Sequence, residues 1–209
     1  MDGKPAEGLN SDRLRALLSY LAVDSGREHA REQVAALLWP ERPDREALSA
    51  LRYALSNLHT ALGDRNASSP FLRVTRTTVQ FNAASDHWLD VGEFQNLKGR
   101  ANIDALERAV SLYRGPFLQG LSVGDSPAFD EWMLLQGEAY RREVLLVLGH
   151  LTSLQMARGA YGEAAAWARR QLELEPYREQ AHRQLMAALA LSGERSAALA
   201  HYNACRLLL

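Results

Sequence analysis

Along the first third of the chain, apolar residues recur three and four apart. After Ser11, which suits a helix N-cap, Leu14, Leu17, Leu18 and Leu21 form one stripe that ends near Asp24–Gly26. Ala35, Leu37, Leu38 and Trp39 predict a second helix over Ala30–Trp39, stopped by Pro40. A third, with Pro43 in its first turn, places Leu48, Leu51, Leu55, Leu58 and Leu62 inward and ends at Gly63. Beyond the loop Asp64–Pro70 the period falls to two. Phe71, Arg73 and Thr75 alternate with Leu72 and Val74, Arg76-Thr77 forms a turn, and Thr78–Phe81 returns, which predicts a β-hairpin. Three helices and a hairpin are the element order of a winged helix-turn-helix, whose third helix enters the DNA major groove with the hairpin beside it. A small helical domain with a structural hairpin fits the same pattern.

From about Asp86 the pattern is helical throughout. Asp90 caps a short helix through Leu97, and a second over Asn102–Tyr113 turns Leu106, Ala109, Val110 and Tyr113 inward. Arg114-Gly115-Pro116 interrupts the chain before a long helix from about Ser126 to Arg158. A repeat of 34 residues then relates Gly159 to Gly193, Ala164 to Ala198 and Leu151 to Leu185, with Pro176 closing the first copy. That is the tetratricopeptide period, with glycine in the turn and small residues where helices cross. A helical bundle with coincidental spacing is the alternative. In the repeat reading, Tyr202 packs on the second helix, Cys205 is buried and inert, and Trp39, Trp88, Trp132 and Trp167 are core anchors. Such a stack offers a curved face suited to protein segments. The expected fold is mainly α: a winged helix-turn-helix domain with a small β-hairpin wing over 1–85, then a tetratricopeptide-like helical repeat domain over 86–209.

Composition narrows the class. At 209 residues, 47% hydrophobic and 23% charged, this is an ordinary soluble globular chain. A single cysteine forms no internal disulfide, which points to a reduced, cytoplasmic compartment. No apolar run reaches the roughly 18–20 residues of a membrane helix, and the first 25 residues lack a signal-peptide layout. Met1–Asn10 is polar and can make no more than an edge strand or a tail. Net charge is −1, and Met1–Gly92 carries 11 basic against 12 acidic residues. Only Arg42–Arg76 is locally basic, with six arginines against Asp44, Glu46 and Asp64, and with His59 alongside. Six scattered histidines, no metal-ligand spacing and no nucleophile motif argue against catalysis, and no metal or cofactor is expected. Glu131, Glu138 and Glu143 read as a solvated stripe.

Three blocks carry a family resemblance. They are Arg15-Ala16-Leu17-Leu18-Ser19-Tyr20-Leu21 with Arg31-Glu32 and Leu38-Trp39-Pro40; Tyr113-Arg114-Gly115-Pro116-Phe117-Leu118; and Glu179-Gln180-Ala181-His182-Arg183-Gln184-Leu185-Met186 with Ala198, Tyr202 and Cys205-Arg206. Together they resemble SARP-type bacterial transcriptional activators over nearly the whole chain. The resemblance implies an OmpR-type winged helix followed by a bacterial transcriptional activation domain. It also implies binding to direct repeats at promoters, often by two side-by-side copies, and recruitment of RNA polymerase. The family's DNA-binding domain opens with an antiparallel sheet, whereas ten residues precede the first helix here, so part of that sheet is expected to be absent. With its end at Leu207-Leu208-Leu209, inside a repeat helix, the chain reads as a fragment of a longer protein. Larger members carry an ATPase module, and no phosphate-binding loop occurs in these residues.

With the leucine stripe of the third helix inward, Ser49, Tyr53, Ser56, Asn57 and Thr60 point outward. That face is neutral, where relatives carry arginines at the positions of Asn57, His59 and Thr60. Asn57 is suited to adenine, Ser49 and Ser56 to base edges, and Tyr53 to a thymine methyl or a sugar, with Thr60 outward beside them. Arg45 and Arg52 on the helix flank and Arg73 and Arg76 on the hairpin are the candidate phosphate anchors. Arg76, which matches the family's wing arginine, suits a narrow minor groove. Two other readings remain: a protein-interaction scaffold that has lost DNA contact, and the sensory front end of a larger multidomain ATPase regulator.

Overall fold

The computed structural model of the chain describes residues 8–64 and 67–208. Residues 1–7 of the edge strand or tail expected at Met1–Asn10, Arg65 of the basic cluster and Leu209 lie outside the described residues. Two compact units divide the chain. The first takes Met1–Gly92, as far as described, with Phe117–Gln136; the second takes Glu93–Pro116 and Gly137–Leu209.

In the first unit, α1 (Asp12–Val23) starts at Ser11, whose Oγ accepts from the Leu14 amide at 3.2 Å, and it buries Leu14, Leu17 and Leu21. A two-residue strand β1 (His29–Ala30) precedes α2 (Arg31–Leu38), and α3 spans Asp44–Ala61. The second helix therefore begins one residue later than expected, and Pro43 stands at the N-cap of α3 rather than in its first turn. Gly63, at φ +69°, turns the chain out of α3. Strands β2 (Leu72–Val74) and β3 (Thr78–Phe81) form the hairpin, with Leu72 opposite Phe81 and Val74 opposite Val79. The expected two-stranded wing is in fact a three-stranded sheet, ordered β1-β3-β2, because His29 and Ala30 pair with Val79 and Thr78.

Ala47, Leu51, Ala54, Leu55 and Leu58 form the buried stripe of α3, and the two outer leucines of the expected stripe, Leu48 and Leu62, are half-buried. Stretch 117–136 completes this core. Phe129 is fully enclosed, and Trp132 packs edge-on to Tyr20 at 5.1 Å between ring centres. Ser126 Oγ donates to the Leu37 carbonyl at 2.5 Å and accepts from the Phe129 amide, starting α6 (Pro127–Ala157) against the end of α2.

In the second unit, α4 (Asp90–Lys98) and α5 (Ile103–Leu112) pack with the later part of α6, around Leu106, Leu148 and Leu151. Asn102 caps α5 by accepting from the Ala105 amide at 2.7 Å. Helices α7 (Tyr161–Leu174), α8 (Glu179–Leu191) and α9 (Arg195–Leu208) follow as hairpins. Gly159 and Gly193, one repeat apart, both turn the chain at positive φ. Ala164 and Leu185 are buried where the repeat places them, and Ala198 is half-buried. Three expectations need correction. Tyr202 is 51% exposed and so is not a packed residue of the repeat, Trp88 is 63% exposed and so is not a core anchor, and Cys205 is only half-buried. The reason at the last helix is one-sided packing: α9 rests on α8, and its flank carrying Leu199 and Tyr202 is open to solvent. Buried His182 donates through Nε2 to the Pro176 carbonyl at 2.8 Å. Its Nδ1 lies 2.9 Å from His201 Nε2, a pairing that chain spacing did not suggest.

Candidate nucleic-acid interface

Helix α3 carries a polar crest between two grooves. On the crest Ser49, Tyr53, Ser56 and Thr60 are exposed, and Tyr53 leaves 72% of its surface open. Ser49 Oγ donates to the Arg45 carbonyl at 2.9 Å and Thr60 Oγ1 to the Ser56 carbonyl at 3.1 Å. Both hydroxyl protons thus turn back onto the helix, leaving oxygen lone pairs outward.

The groove on the wing side, of about 580 Å³, is lined by Arg31, Arg52, Ser56, His59 and Asp64 with an apolar floor at Leu55 and Leu72. The groove on the α1 side, of about 440 Å³, is lined by Arg13, Trp39, Arg42, Tyr53 and Asn57. The predicted residues are thereby sorted: Arg52 and Ser56 face the wing, Tyr53 and Asn57 face α1, and Ser49 and Thr60 stay on the crest. Arg45, in the first turn of α3, is exposed and lines neither groove.

The charges of the two grooves differ. Arg13 and Arg42 share Glu41, at 2.9 and 3.6 Å. Hydrogen bonding from its own backbone amide, with Arg13 beside it, holds the Glu41 carboxyl below the usual carboxylate range. Among the described residues, no ion pair engages Arg45, Arg52, Arg73 or Arg76.

At the foot of the wing-side groove, the Asp64 side chain is almost wholly buried. It accepts from the Phe71 amide at 2.6 Å, the Leu72 amide at 3.0 Å and His59 Nδ1 at 3.0 Å. This carboxylate joins the end of α3 to the start of β2 and fixes the His59 ring with its Nδ1 proton inward.

The wing tip is built around threonine. Thr75 and Thr78 close the turn by an amide-to-carbonyl bond of 2.9 Å, and Thr75 Oγ1 accepts from the Thr77 and Thr78 amides at 3.2 and 2.9 Å. Arg76 is exposed at the tip, and Arg73 is exposed on β2 opposite Gln80. From α2, Arg31 donates its backbone amide to the Thr77 carbonyl at 2.9 Å and Nη1 to the Thr75 carbonyl at 3.3 Å. Its Nε is buried with no acceptor. Arg13, Arg31, Arg42 and His59 are the site residues that sequence reasoning left out. None lies on the outward stripe of the third helix, and only tertiary packing gathers them. Among the described residues, no cluster of three metal-ligating side chains forms, and no helix is long and apolar enough to cross a membrane.

Comparison with known proteins gives this surface its setting. The regulatory protein AfsR of Streptomyces coelicolor is 28% identical to this chain over 211 residues, which covers 95% of the chain and 20% of AfsR. The chain thus spans about a fifth of that relative's length. The solved structure of Mycobacterium tuberculosis EmbR in complex with a low-affinity phosphopeptide superimposes on 100% of this chain and 56% of that one. Its TM-score is 0.76 and its identity 23%, a likeness of fold. Residues 89–209 match the bacterial transcriptional activator domain. With that match over more than half its length, the chain belongs to the bacterial transcriptional activator domain family.

Proposed function

We propose that the chain activates transcription by binding promoter DNA through its winged helix, residues 1–85, while the helical region over 86–209 contacts RNA polymerase. The observation that carries this reading is the surface of α3: an uncharged crest between two grooves, each holding two arginines, with Arg76 at the wing tip. A duplex presents base edges flanked by two phosphate rails, and phosphate contacts position a reader while base contacts give it specificity. Asn57 reads an adenine edge, Ser49, Ser56 and Thr60 accept from base amino groups, and Tyr53 packs on a thymine methyl or a sugar. Arg45, Arg52 and Arg73 neutralise phosphates, and Arg76 enters the minor groove beside the wing. Two copies bound to direct repeats make up for the modest affinity of one neutral crest. The site acts in the cytoplasm and performs no catalysis.

Fluorescence anisotropy with random-sequence duplex DNA over a salt series tests this. Affinity should fall with salt at a logarithmic slope of about −0.9 per neutralised phosphate. Arg52→Ala and Arg76→Ala should each flatten that slope by about one and weaken binding roughly fivefold at low salt. A folded sample that fails to bind at low salt overturns the proposal. The lack of charge on the outward face of α3 favours one second reading, a protein-interaction scaffold, and that result would support it.

A further inference from the structure

The wing tip is held from within by the bonds that Thr75 makes to Thr77 and Thr78, and from outside by α2. Strand β2 is three residues long and lies at the sheet edge, Val74 is exposed, and the turn Thr75–Thr77 is exposed throughout. Because peptide groups are planar, the orientation of Arg76 depends on the planes to either side of it. The plane before Arg76 is held through the Thr75 carbonyl, which accepts from Arg31 Nη1. The plane after it is held by the Thr77 amide on Thr75 Oγ1, and the next by the Thr77 carbonyl on the Arg31 amide. One residue at the start of α2 therefore grips the turn at both ends. Its backbone amide, among those that the first turn of a helix leaves without an internal acceptor, is used on the wing. Its side chain keeps that position although Nε is buried with no acceptor.

We propose that Arg31 is the positioning residue of the wing: it holds the turn that carries Arg76 and so sets how that cation is presented to a duplex. The presentation to DNA rests on the function proposed above, whereas the hold on the turn does not. Substitution removes only the side-chain half of the grip, and Met also removes the unsatisfied Nε, so the fold should tolerate it.

Two readings on the full chain test this. In limited trypsinolysis followed by mass spectrometry, Arg31→Met should speed cleavage after Arg76 about tenfold relative to other arginines, with the melting temperature within about 3 °C of wild type. Arg31→Lys, which regains one donor, should fall between. In anisotropy with random-sequence duplex DNA, Arg31→Met and Arg76→Ala should each weaken binding about fivefold, and the double variant should bind no worse than Arg76→Ala alone. Cleavage after Arg76 at the wild-type rate overturns the proposal. So does a double variant whose loss is the product of the single losses, which makes Arg31 an independent DNA contact. The trypsin reading uses no DNA, so it decides the role of Arg31 even where the wild-type chain fails to bind duplex and the functional reading falls.

Discussion

Four arginines of the second unit are handled in the opposite way to those on the third helix of the first unit. An acid three or four residues away meets each of them, Arg141 with Glu138 at 2.9 Å, Arg170 with Glu173 at 2.6 Å, Arg178 with Glu175 and Arg183 with Glu179, both at 3.4 Å, whereas Arg142, Arg169, Arg195 and Arg206 enter no ion pair among the described residues. The hydrogen bond from Arg141 holds the Glu138 carboxyl below its usual range and raises Arg141 in turn. On α3 the residues three and four away from Arg52 are Leu48, Ser49, Leu55 and Ser56. Glu41, four before Arg45, is taken by Arg13 and Arg42. Total charge conceals this contrast, since the whole chain carries only −1. What separates a self-satisfied surface from one left open to an outside anion is the spacing of acids around each arginine.

The comparison breaks most severely at Asp64, the acid near α3 that serves backbone amides rather than an arginine. Asp64→Ala strands the Phe71 and Leu72 amides and should cost about 2–4 kcal/mol in a urea unfolding titration. Ser56→Glu sharpens the contrast by giving Arg52 the acid it lacks at one turn's distance. Duplex affinity should drop about tenfold or more by anisotropy, with stability little changed.

A smaller effect, shared by both units, should come from acidification. Burial makes the His29 and His201 imidazoles harder to protonate than usual, with neighbouring His182 and Arg169 adding to the effect at His201 and Arg27 at His29, where Asp24 opposes it. As pH falls through about 6.5, the unfolded chain takes up protons that the folded chain refuses. Stability is therefore full above that pH and declines below it. Urea midpoints between about pH 7.5 and 5.5 should show the decline, and His29→Gln and His201→Gln should each flatten it. Smallest of all, Arg170→Ala removes a surface pair in the second unit and should shift stability by no more than about 0.5 kcal/mol, with duplex affinity unchanged.

Where a local pattern repeats, the sequence was readable. The cap at Ser11, the leucine stripe of α3, the hairpin and the two repeat glycines all declare themselves within a few residues, because helix and strand periods are local. Strand β1 does not: His29 and Ala30 are too few to show a period, and they become a strand only because Val79 and Thr78 lie beside them. Trp88 and Tyr202 misled for a related reason, since a large aromatic side chain indicates a core only where a second element covers it. At the candidate interface, the outward face of α3 and Arg76 at the tip followed from helix and hairpin geometry. Arg31 and His59 did not, because their partners, the Thr75 carbonyl and Asp64, are set by the meeting of wing and helices.

The seat of Phe129 and Trp132 has a further consequence. Their side chains, with Val123, close the core of the first unit, and they come from a stretch beginning 25 residues after Gly92 at Phe117. The first unit, cut from this chain at one point and transplanted, would carry an open hydrophobic seat where those rings belong. In modular terms the first unit is a split cassette, 1–92 with 117–136, and recombination between chains of this build has to move both pieces or neither.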